Sequence, residues 1–249
     1  MKVDDENWKQ WRGWAEKIRD DLTNEVNAQA VFAGFNEVVQ KNKDWIDSHN
    51  GDLFTDFVMR SYAASAFLGI RRQLKINKDS VSLLRLLDQI SKYADQITYD
   101  FYLTVFPLKP RYIDWQKWTF RNLSDDGKSV CKRIVVADIA DTKKLNTKIE
   151  LVADRIFAHL DKRETNTVLT FDELRASIDH FNKLTCKYIA FLLGEGRSSL
   201  EAMFCYDWKK IFSYPLVKPA DNETMGRIKG SGVFNPDDDI RSREQWGVV

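Results

Sequence analysis

Between Thr170 and Gly194 runs an apolar repeat that leaves little choice of fold. Phe171, Leu174, Ile178, Phe181, Thr185, Tyr188 and Leu192 follow one another at alternating three- and four-residue spacing. At 100° per residue that spacing lines a single face of a helix. Thr170 with Glu173 forms a capping-box pattern at its start, and Gly194 and Gly196 end it. A seam this long has to be buried against other helices. Helical periodicity recurs upstream. Trp8, Trp11, Ala15, Ile18 and Leu22 share a face within Asp4 to Val26, and a second apolar group follows from Val31 to Val39.

The segment from Asp52 to about Lys75 is apolar nearly all round, which predicts a helix at the centre of a bundle. Its most regular stripe, Phe54, Val58, Ser61, Ser65 and Leu68, leads to Arg72. Leu83, Leu87, Ile90, Ala94 and Ile97 form another seam, with Asp79 or Ser80 expected as its cap. Tyr99 to Ser124 is aromatic and reads as a surface-covering loop or a partner contact, where Trp115 and Trp118 suit buried packing better than base stacking. Helix resumes near Ser129, with a break expected around Asp141 to Asn146. The sum is an all-α bundle of five to seven helices over residues 1–215, with a loop-rich or extended tail over 216–249.

Composition narrows the class. A net charge of +1 supplies no whole-molecule attraction to nucleic acid or membrane, so any such contact must be local. It also disfavours a helix-turn-helix DNA binder, as does the lack of a basic recognition helix. Three scattered cysteines, Cys131, Cys186 and Cys205, argue against a disulfide framework. No Cys/His pair has metal-ligand spacing, so neither a metal nor a cofactor is expected. No apolar run approaches the ~18 residues of a membrane helix, and no leader pattern precedes Trp8. A cytoplasmic protein without a membrane partner is the expectation.

The run IELVADRIFAHLDKR, from Ile149 to Arg163, points to chemistry. Leu145, Ile149, Val152, Ile156 and Leu160 would line one helical face. Lys144, Lys148, Arg155, His159 and Lys162 follow one edge of it, and Asp154 and Asp161 project to the opposite side. An imidazole that titrates near neutrality beside several cations suits phosphate handling. The same residues also fit an ordinary solvated edge. Arg72, at the end of its stripe, would pair with an acidic residue such as Asp79 or Asp88, or face a cleft. His180 reads as a surface residue, and His49 lies in a turn.

Within that run, D-R-I-F-A-H-L-D resembles the signature of HEPN-domain proteins, in particular their abortive-infection branch, through Asp154, Ala158, His159 and Asp161. Arg60 to Ile90 and Tyr206 to Pro215 resemble the same branch, so the likeness spans about residues 54–215. The motif's arginine is replaced by Ala153, and Arg155 stands four residues before His159. The resemblance implies a HEPN-like bundle, a homodimer and a metal-independent endoribonuclease of phage-defence or toxin type acting on RNA. It implies His159 as general acid/base and Arg155 as phosphate clamp, with Arg72, Asp154, Lys148 and Lys162 in support. It equally admits an inactive relative that uses the bundle to bind a nucleotide, an antitoxin or another protein.

Overall fold

A computed structural model describes residues 3–48, 51–106, 113–152, 169–202 and 207–213. The chain divides into two compact units, Met1–Met203 and Phe204–Val249. The first is an all-α bundle of α1 (Asp5–Lys41), α2 (Lys43–Ser48), α3 (Asp52–Leu74), α4 (Leu83–Tyr93), α5 (Tyr99–Val105), α6 (Ile113–Arg121), α7 (Lys132–Val152) and α8 (Phe171–Leu193). Five of these exceed ten residues and carry the packing. In the second unit, Trp208–Ser213 forms a 3-10 turn in which the Asp207 carboxylate accepts from the Lys209 amide. Among the described residues no helix is long and apolar enough to cross a membrane.

The centre belongs to α8. It buries Leu174, Ile178, Phe181, Thr185, Tyr188 and Leu192, and also Ser177, Leu184, Cys186, Ile189 and Phe191. Its capping box is formed: the Thr170 hydroxyl accepts from Glu173 N–H, and the Glu173 carboxylate accepts from Thr170 N–H at 2.9 Å. Gly194 ends the helix in the left-handed region, φ 76°, and a Cβ there would run into the Phe106 ring. Trp8, Tyr102 and Phe191 interlock beside it, the last two stacked at 4.9 Å with 7° between planes.

The two apolar groups near the start lie on one continuous α1, capped by Asp4 and packed along α8 and α3. Contrary to expectation, α3 is not central. Its regular stripe faces outward, with Phe54 56% and Leu68 45% exposed, and so does Phe57 at 67%. The buried face is the one bearing Ala66, Phe67, Gly69, Ile70 and Leu74. That face mixes large and small residues, and at Gly69 it comes close to α1: a Cβ there would overlap the Glu25 carboxyl.

Three further expectations are corrected. Ser82, not Asp79 or Ser80, caps α4 by accepting from Arg85 N–H. Tyr99 to Ser124 is no covering loop: it supplies α5 and α6, and Tyr102 and Phe120 enter the core. There the Tyr102 hydroxyl donates to the Phe191 carbonyl at 3.0 Å, while Trp118 stays 58% exposed. Finally, α7 has no break at Asp141 to Asn146. Thr142 and Asn146 bond back to the carbonyls of Asp138 and Thr142, satisfying themselves within the helix. They, with Ile149 and Val152, form the buried face, and Leu145 falls off it, 42% exposed.

Candidate functional site

Because α7 turns a polar stripe toward α8, the seam between them is a ladder of hydrogen bonds. At one end the Asp138 carboxylate accepts from Lys187 Nζ at 2.7 Å and the Tyr188 hydroxyl at 2.8 Å. One turn on, Thr142 Oγ1 lies 2.8 Å from His180 Nε2. The Thr142 hydroxyl already donates to the Asp138 carbonyl, so it accepts from His180 Nε2–H. Next, Ser177 donates to the Asn146 side-chain carbonyl. At the far end Lys148 Nζ bridges both Glu173 oxygens, at 2.7 and 2.9 Å, beside the cap of α8.

The expected phosphate contacts fall in two places. Lys148 is on this seam, engaged with Glu173, whose carboxyl it holds below the ordinary range, aided by the Thr170 amide. Arg72 is near the end of α3, bonded to Asp21 at 2.8 Å and Glu25 at 3.0 Å on α1, and not to Asp79 or Asp88. Both cations are therefore already matched by carboxylates, and they belong to separate pairs. His159, Arg155, Asp154 and Lys162 lie outside the described residues, as does Ala153; in sequence they directly follow the last turn of α7. His49 lies outside them too.

Compared with protein-family models, with curated proteins and with solved structures, the chain matches none.

His180, a surface residue by its place in the heptad pattern, is half-buried against Thr142. Burial, with Lys183 nearby, holds its imidazole below the usual range against the opposing pull of Asp138 and Asp141. A folded-state pKa below the unfolded one gives stability that is complete above about pH 6.5 and lost as pH falls through the folded value. Thermal unfolding should therefore drop in temperature on acidification below about pH 6.5, and His180→Gln should remove that component. Lys148→Ala should cost under about 1 kcal/mol, since both partners are 41% exposed, and less at high salt. Urea melts at low and high salt would measure this.

A second feature lies where α1, α3 and the start of α8 meet. Phe32 and Tyr62 stack at 4.0 Å with 9° between planes, and Phe171 follows at 5.0 Å from Phe32. They wall a cleft of about 130 Å³ rimmed by Asn36, Asp172 and Arg175. Burial, with Glu25 and Asp179 nearby, pushes the Tyr62 phenol up to about 12, so it stays un-ionised. Nothing in the linear pattern marks this cleft except three aromatics on three different helices. The α7 ladder had a fainter signal, polar residues every fourth position at Asp138, Thr142 and Asn146.

Proposed function

We propose that this chain is a HEPN-like endoribonuclease of the abortive-infection type, a cytoplasmic homodimer that cuts RNA without a metal ion. The observation that carries the reading is the run D-R-I-F-A-H-L-D, with the edge Arg155, His159 and Lys162 continuing in sequence from Lys148 at the end of α7. The all-α bundle, with α7 laid against a central capped α8, supports it. His159 takes the proton from the attacking 2′-hydroxyl or returns one to the leaving oxygen, and Arg155 neutralises the charge developing on the phosphoryl oxygens. Asp154 orients the motif, and Lys162 attracts the backbone, joined by Lys148 where RNA displaces its half-exposed pair with Glu173. Arg72, locked to Asp21 and Glu25, serves the scaffold.

Two observations favour a second reading, a catalytically inactive binding or dimerisation module that takes a nucleotide or a protein such as an antitoxin. Lys148 and Arg72 are already paired, and the outer face of α3 presents Leu53, Phe54 and Phe57 to solvent. Incubating a mixed RNA pool with the purified protein in EDTA separates the two. Endonucleolytic products with 2′,3′-cyclic phosphate ends support the enzyme. No cleavage, with RNA or nucleotide binding retained, supports the module.

A further inference from the structure

We infer that the cleft between Phe32, Tyr62 and Phe171 is a binding site for a nucleobase. Its lining asks for a flat occupant: Phe32 and Tyr62 stack on one another, Phe171 packs against Phe32, and Phe171 is 43% exposed, so a planar ligand would extend the stack at that ring. Its polar groups ask for a ring that carries N–H groups on its edge. Gln29 lies in the cleft wall with its amide orientation settled, because Nε2 donates to Asp179 Oδ1 at 2.8 Å. That leaves Gln29 Oε1 as a buried acceptor with no hydrogen-bond partner among the described residues. A buried acceptor left unpaired is unfavourable; Oε1 is not open to the cleft as it stands, and a ligand N–H that reached it on rotation of the Gln29 amide would relieve it.

Other chemistries meet only part of this demand. An aliphatic chain would fill the slot and leave Oε1 unpaired. A phosphate alone would find Arg175 but also Asp172, 3.8 Å from it, and would gain nothing from the rings. A base meets both the faces and the acceptor, and Asn36 at the rim adds a donor and an acceptor for its edge. The base belongs either to a free nucleotide or to a single strand of RNA. The RNA case rests on the function proposed above, whereas the base site does not.

The test uses 2-aminopurine, whose fluorescence is quenched when it stacks on an aromatic ring. It is presented to the full chain as its ribonucleoside monophosphate and as one residue of an octaribonucleotide. Quenching of both probes assigns the site to free nucleotides as well as RNA, and quenching of the oligomer alone assigns it to RNA. Phe171→Ala is expected to weaken quenching affinity about tenfold and Phe171→Trp to restore it. Gln29→Leu is expected to weaken binding of the base while an abasic oligomer binds each variant as it binds the wild type. Circular dichroism checks that each variant is folded. No quenching of either probe, or equal affinity in the wild type, Phe171→Ala and Gln29→Leu, overturns the site. The readout needs no turnover, so a protein that stacks bases yet cuts no RNA would keep the site and lose the ribonuclease.

Discussion

His159→Ala is expected to lower RNA cleavage by about two to four orders of magnitude, the usual contribution of a positioned general acid or base. No other residue in the D-R-I-F-A-H-L-D run has a side chain that exchanges protons readily near neutral pH, so nothing close in sequence replaces it. The pH profile of kcat/KM should show a limb assigned to His159 that is absent from the variant. Arg155→Ala should reduce the rate more than it raises KM, because a clamp on developing charge acts mainly in the transition state. A different outcome is just as informative. Undiminished cleavage by Arg155→Ala would mean that the phosphate is held from elsewhere, and that one-turn spacing does not substitute for an arginine at position 153. Equal rates for wild type and His159→Ala would remove the ribonuclease reading.

What the linear pattern disclosed followed the range of the forces involved. The boundaries of α8 were legible because Thr170, Glu173 and Gly194 act on backbone groups within one turn of themselves. Its seam was legible because Leu174 to Leu192 all answer to one core. The place of α3 was not, since Phe54, Phe57 and Leu68 make it look apolar all round, while the side that packs bears Ala66, Phe67 and Ile70 with Gly69, where Glu25 of another helix comes close. Nor were α5 and α6, where Tyr102 and Phe120 are held by Phe191, far away in sequence. The candidate site divides in the same way. The His159 motif is local and readable, whereas Arg72's partners, His180's burial and the Phe32, Tyr62 and Phe171 stack are created by packing alone.

Arg72→Ala should cost about 2 kcal/mol at neutral pH, and the loss should fall mostly on Glu25. That carboxylate is only 6% exposed, and burial already raises its pKa, with the Arg72 guanidinium as the main opposing influence. Breaking a fully buried pair costs about 3–5 kcal/mol, and the figure here is smaller because half of the Arg72 side chain is in solvent. Asp21, the other partner, keeps Gln73 Nε2 at 2.6 Å and is little affected. A raised folded-state pKa gives stability that is present below the unfolded value near 4.5 and lost as pH rises through the folded one. Without Arg72 the raised value rises further, so the deficit of the variant should shrink on acidification. Glu25→Gln placed on top of Arg72→Ala should recover most of it at neutral pH, because an amide of the same shape carries no charge to strand. Urea unfolding of the single and double variants at neutral and acidic pH measures both effects. A deficit that neither acid nor Glu25→Gln relieves would mean that Arg72 supports the bundle through its packed stem instead of its charge. Unchanged stability with reduced RNA binding would return Arg72 to the phosphate-contact role that its place in the sequence suggested.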